Sequence, residues 1–158
     1  MHSRIGAGII AGIVGGIVFG AMMQMMTAPS PEGPMSMMTM VAMVVRSKSI
    51  AVGWAYHLFN SALFGAIFAW LFDARVSNYR AGAVWGLAYG VFWWVAGALI
   101  LMPVLLGMPA FASLRMPEMR PVAMGSLVGH LMWGLILGEL FVKLRQPRLT
   151  AVEARRAA

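Results

Sequence analysis

Four long stretches of this chain carry almost no charged residues: Ile5–Met26, Ile50–Phe72, Ala81–Met102 and Val122–Leu144. Each runs for at least 22 residues, and about 20 helical residues cross a hydrocarbon core. No run alternates polar with apolar positions as a half-buried strand does. A bilayer also leaves no water for unpaired backbone groups. The pattern therefore predicts four membrane-spanning helices. Arg4 ahead of the first run has the look of a signal peptide. However, Pro29 follows Thr27-Ala28 directly and makes a poor cleavage context, so the first run is predicted to stay as a helix.

The connections differ in kind. Asp73 to Arg80 is a short turn, whereas Thr27–Ser49 and Pro103–Pro121 are long and hold seven of the eight prolines. Within the first long connection, "MSMMTMVAMVV" (Met35–Val45) is apolar but too short to span. It predicts an interfacial or re-entrant helix, with Pro109–Leu114 as a weaker counterpart.

The landmarks repeat. Gly8, Gly12 and Gly16 match Gly82, Gly86 and Gly90 at an offset of 74, as do Pro29 with Pro103 and Arg46 with Arg120. His57 matches His130, and Gly65 matches Gly138, at 73. The expected fold is an all-α integral membrane protein of one domain, residues 1–158, built from two tandem parallel helix–outer segment–helix repeats. Repeat one covers 1–73, repeat two 74–144, and a basic tail 145–158. Two spans per copy insert both copies the same way, related by a pseudo-two-fold axis along the membrane normal. Gly8, Gly12, Gly16 and Gly20 form one stripe of helix one, and Gly82, Gly86 and Gly90 one stripe of helix three. Small residues at this spacing let helices approach closely, within one bundle or between copies in a homo-oligomer or larger membrane complex.

Composition sharpens this picture. Of 158 residues, 61% are hydrophobic and 11% charged, against about 25% charged in a soluble domain. The absence of cysteine excludes disulfides, thiolate metal sites and covalently attached haem. The net charge of +7 gathers in Lys143, Arg145, Arg148, Arg155 and Arg156, which suits anionic headgroups better than nucleic acid. Eight Lys and Arg residues lie on the tail's side and four on the other. The positive-inside rule then places both termini in the cytoplasm.

Candidate chemistry centres on two histidines in apolar company. His57 and His130 each sit about 10–12 Å in from the outer end of their helix. Asn60 and Ser61 share the face of His57, and Trp133 and Gly134 take those places beside His130. Ionisable groups within spans usually turn toward a partner or cavity. The pair therefore admits interhelical hydrogen bonding, or a polar lining for passage of a proton or small solute. It also admits a ligand pair for b-type haem, with Arg46 and Arg120 meeting the propionates. A fourth reading is a Cu(I) site with Met22 and Met26, since thioethers favour soft ions. Of 16 methionines, nine lie in Met22–Met43 and five in Met102–Met124, where adaptable apolar filling is the competing explanation. Glu139 has Lys143 four residues on as a partner, and Asp73 reads as a solvated helix end. Trp93 and Trp94 read as packing residues, and Trp54, Tyr56 and Tyr79 as interfacial belts. No HExxH, nucleophile elbow or same-face carboxylate pair is present. The leading expectation is a non-catalytic membrane binding or transport protein, with a metal or haem carrier and a structural subunit as alternatives.

"GHLMW" (Gly129–Trp133) after "LLGMP" (Leu105–Pro109), with a His-x-Phe-Asn stretch at His57–Asn60, resembles the YagU-type family of small bacterial inner-membrane proteins. The likeness covers roughly the last hundred residues, and this chain departs from it in a shorter first outer segment and its methionine excess. The resemblance implies a bacterial inner-membrane address and marks His57 and His130 as positions of interest.

Overall fold

A computed structural model describes residues 3–30 and 32–157, with side chains described through Arg145. Four of its helices are long and apolar enough to cross a membrane, in a chain that is mostly helical. In order, α1 spans Arg4–Met25. A two-residue antiparallel pair follows, β1 (Thr27–Ala28) with β2 (Met35–Ser36). Next come α2 (Met37–Met43), α3 (Ile50–Phe72) and α4 (Tyr79–Trp93). The chain continues from α4 as a π-helix over Trp94–Leu101 and then α5 (Met102–Leu105). After α6 (Ala112–Arg115) and a 3-10 turn at Pro117–Met119, α7 runs from Arg120 to Ala157.

Spanning helices start and stop where local chemistry dictates. Ser3 caps α1 by accepting from Gly6 N–H, and Asn78 caps α4 by accepting from Ala81 N–H. The outward faces are apolar on every span: Ile17 on α1, Phe59 and Trp70 on α3, Val84 and Phe92 on α4, Val128 on α7. Such faces suit lipid, where exposure of large hydrophobic side chains carries no penalty.

The glycine stripes decide which helices meet. On α1, Gly8 and Gly12 lie against the backbone of Gly65 and Ser61 on α3. On α4, Gly82, Gly86 and Gly90 lie against the backbone of Gly138, Gly134 and His130 on α7. Gly16 and Gly20 complete the α1 stripe, against Ser61 and against Trp54 with His57. Both stripes are thus taken up by contacts inside the chain. The α1 and α7 helices also touch directly at Gly15 and Trp133. In contrast, α4 meets α3 through aromatic rings, Phe64 stacked on Trp93 at 3.6 Å and Phe72 tilted against Trp85 at 5.0 Å between centroids.

The Met35–Val45 segment forms the short helix α2, whose Met38 is fully enclosed with its carbonyl against Gly53, so it roofs the bundle. Two local expectations change. Asp73 is not merely solvated: Arg145 Nε lies 3.0 Å from its carboxylate, and the same guanidinium donates to the carbonyls of Asp73 and Val76 at 2.8 and 2.9 Å. Among the described residues Glu139 and Lys143 form no ion pair within 4.0 Å, and both face outward. The last helix also runs past Leu144, where the apolar run stops, and the side chains of Arg148, Arg155 and Arg156 lie outside the described set.

Candidate functional site

The half of the bundle nearer the N-terminus and the α3–α4 turn is solid. Phe68, Leu137 and Phe141 are fully buried there, with Phe68 packed edge-on to Phe141 at 5.7 Å. The half under α2 is not. A cavity of about 210 Å³ lies between the four spans and beneath α2. Phe64, Trp93 and Trp133 line it, Phe19 and Met23 come from α1, Met26 from just after that helix, and Met37 and Val41 from α2.

His57, Asn60 and Ser61 from α3, and Ser126, His130 and Trp133 from α7, all line this one cavity. Phe19 is the hinge of the arrangement, since its ring meets His57 edge-on at 5.6 Å and His130 at 4.8 Å. His57 Nε2 lies 2.8 Å from Gly16 O. A carbonyl only accepts, so Nε2 carries the hydrogen and, in the neutral ring, Nδ1 keeps the lone pair. His130 Nδ1 lies 2.8 Å from Ser126 O and 3.3 Å from Ser126 Oγ. By the same reasoning its hydrogen sits on Nδ1 and its lone pair on Nε2. The two rings therefore adopt opposite tautomers. One reaches across to α1, while the other folds back on its own helix.

Among the described residues neither lone-pair nitrogen has a hydrogen-bond partner, and nor does the Asn60 amide. Ser61 differs: its hydroxyl donates to His57 O at 2.8 Å, which ties it to its own helix. Trp133 Nε1 donates to Gly12 O at 3.2 Å, so the stripe supplies accessible carbonyls as well as close packing.

The π-helix forms the remaining wall through Gly97, Ala98 and Leu101. Its wide winding ends where Pro103 lacks an N–H for Leu99 O. Phe111 N–H fills that role instead, at 2.6 Å, and draws the loop onto the helix. π-turns within α-helices occur often at functional sites.

The haem reading does not fit this geometry. The cavity is below the roughly 300–1,000 Å³ of ordinary ligand pockets, and Phe19 occupies the space against both imidazoles. Arg46 and Arg120 do not line the cavity. Arg46 closes α2 in a left-handed conformation at φ 60, and Arg120 Nε donates to Leu114 O at 3.1 Å. Met22 on α1 and Met26 just after it set their methyls beside Gly129 and Gly125, one turn apart on α7, and of the two Met26 lines the cavity.

Several cavity residues carried no signal in the chemistry-bearing motifs. Ser126 is the exception that was findable, four residues before His130 on the same face. Phe19 and Trp93 stand at the 74-residue offset but read as apolar filling, and Tyr56 read as a belt residue rather than part of a cavity wall.

No curated protein and no solved structure matches the chain. A family model matches residues 2–152, nearly the whole span that builds this bundle and its cavity. The chain belongs to that family, the family of unknown function DUF6789.

Proposed function

We propose that this multi-pass membrane protein binds a small, mainly apolar molecule bearing one polar group, in the outer-half cavity between His57 and His130. The observation that carries the reading is the convergence of His57, Asn60 and His130 on one cavity without protein partners for His57 Nδ1, the Asn60 amide or His130 Nε2. Those groups offer two acceptors and an amide against aromatic and thioether walls, the composition of a small-molecule site. The aromatic inner half favours binding, or transport by rearrangement, over an open pore. Trp133 serves as a wall of the site, Ser61 as support for His57.

The setting belongs to the same proposal. Two tandem repeats place the histidines at one level, and support comes from glycine contacts that recur at the repeat offset: Gly8 with Gly65 and Gly82 with Gly138. The positive-inside distribution puts the cavity on the outer side of a bacterial inner membrane with both termini in the cytoplasm, the address that the YagU resemblance also implies.

The test uses the full chain purified in mild detergent from its own membrane. Native mass spectrometry is expected to find one small molecule on the wild type, retained far less by His57→Ala, His130→Ala and Asn60→Leu. Equal loading of all four proteins, or an empty wild type, refutes the proposal. Orientation is tested separately. The chain has no cysteine, so Asn60→Cys and Ser126→Cys give single labelling sites. Both should react with a membrane-impermeant methanethiosulfonate from the periplasmic face only.

A further inference from the structure

A second, smaller chamber adjoins the cavity. Its volume is about 40 Å³, enough for one water-sized occupant and too little for an organic ligand. Five methionines line it: Met37 and Met40 from α2, Met102 from α5, Met108 from the following loop, and Met119 from the 3-10 turn. No charged side chain does. Ser113 faces it too. That residue is 8% exposed, and its Oγ is buried without a partner among the described residues.

We propose that this chamber is a thioether site for a soft monovalent cation, Cu(I). Methionine as mere filler would be expected to close the gap, since its flexible side chain adapts to irregular space. Here methionines from four separate segments instead line a void that remains open. Hard cations require several oxygen ligands, and the chamber offers only the hydroxyls of Ser113 and Ser126. Divalent ions also need compensating charge, which is absent. Thioether sulfur is polarisable and selects Cu(I) among first-row metals. A single positive charge keeps the desolvation cost lower than a divalent ion's, and the unpartnered Ser113 oxygen presents a lone pair to it.

The site differs from the copper reading of the sequence. Met22 packs elsewhere, and the histidines lie in the neighbouring cavity. Met37 and Met102 line both spaces, so an ion in the chamber sits one step from the histidine cavity. The proposal does not rest on the ligand reading of that cavity.

The experiment titrates the full-length protein in detergent, without oxygen, with Cu(I) supplied as its acetonitrile complex against the chelator bicinchoninate. One ion per chain is expected. Met37→Leu/Met102→Leu/Met119→Leu should weaken binding at least about 100-fold, whereas Met25→Leu/Met116→Leu, at exposed positions, should not change it. Leucine conserves volume, so these variants are expected to fold. X-ray absorption on the copper-loaded wild type gives a readout independent of variants, and a shell dominated by sulfur is expected. His57→Ala/His130→Ala should keep that shell and the affinity while losing the small molecule of the larger cavity, which separates failure of one proposal from failure of the other. Failure of the wild type to hold Cu(I) against the chelator would overturn the inference. So would a nitrogen-dominated shell, or unchanged affinity in the triple variant.

Discussion

Adding one methyl group to the glycine stripes should separate helices that now touch through backbone. At Gly86, a new Cβ would overlap the Gly134 carbonyl oxygen and stand 3.0 Å from Gly134 C and 3.2 Å from Gly138 Cα. At Gly12, it would overlap the Ser61 carbonyl oxygen and stand 3.0 Å from Gly65 Cα. Every obstructing atom is backbone, so no rotamer change relieves the clash and the helices must move apart. Overpacking of this kind costs about 1–3 kcal/mol, and the upper half applies where nothing yields. We expect about 2–3 kcal/mol for Gly12→Ala and for Gly86→Ala, a fall of about 4–12 °C in Tm for a chain of this size. The two positions lie in different helix pairs, so the double variant should sum within about 0.5 kcal/mol. Gly97→Ala is the control. Its Cβ meets only Trp93 Cε3 at 3.8 Å, and the change should stay within about 0.5 kcal/mol. Reversible unfolding in bicelles, followed by circular dichroism, measures all four. If Gly12→Ala and Gly86→Ala fall within 0.5 kcal/mol of wild type, or if Gly97→Ala costs as much as they do, the close-approach reasoning is refuted.

Three further outcomes follow from single contacts. Arg145→Ala removes an ion pair with the Asp73 carboxylate and two hydrogen bonds to the Asp73 and Val76 carbonyls and should cost about 3 kcal/mol in the same unfolding assay. Arg145→Lys should recover at most half of that, because an ammonium lacks the guanidinium fork, and full recovery would show that charge alone matters. Trp133→Phe keeps the packing but removes the hydrogen bond to Gly12 O, so a loss of about 1 kcal/mol is expected; an unchanged midpoint would remove that bond from the interface. Arg46 occupies a left-handed conformation at φ 60, where glycine is unstrained, so Arg46→Gly should raise stability by about 1 kcal/mol. A loss instead would mean that the Arg46 side chain carries an interaction of its own.

The spans were legible because lipid imposes one rule on length and polarity, and that rule is written into every residue of a run. The α3 bounds match the apolar run at Ile50–Phe72, and α1 differs by one residue at each end. What escaped was set by single groups acting at a distance. The π-helix has no periodic signature, and its exit depends on Phe111, which pairs with the carbonyl that Pro103 leaves open. The burial of α2 depends on Gly53, whose missing side chain admits the Met38 backbone. The Asp73–Arg145 contact joins residues far apart in sequence, so nothing near Asp73 in the chain marked it as more than a solvated helix end. The strand pair β1–β2 is two residues long on each side, too short for any alternation to register.

The cavity's position follows from where the two proposed copies depart from one another. Gly15 on α1 stands at the offset of Tyr89 on α4, and Asn60 on α3 at that of Trp133 on α7. Where α1 meets α7, the small partner is on α1: an added Cβ at Gly15 would be 3.0 Å from Trp133 Cδ1. Where α4 meets α3, the large partner is on α4, and Tyr89 donates its hydroxyl to Phe64 O at 3.0 Å. Each interface thus has one bulky aromatic with a hydrogen bond to the opposing backbone, but on opposite partners. Trp133 and Tyr89 stack at 5.8 Å and close the bundle on the side of the cavity away from α2. The short Asn60 leaves open the space that a second tryptophan would have filled. Asn60→Trp should therefore abolish ligand retention while leaving the helix contacts at Gly12 and Gly86 intact. A variant that melts like wild type yet still holds the small molecule would show that the vacancy at Asn60 is not what makes the site.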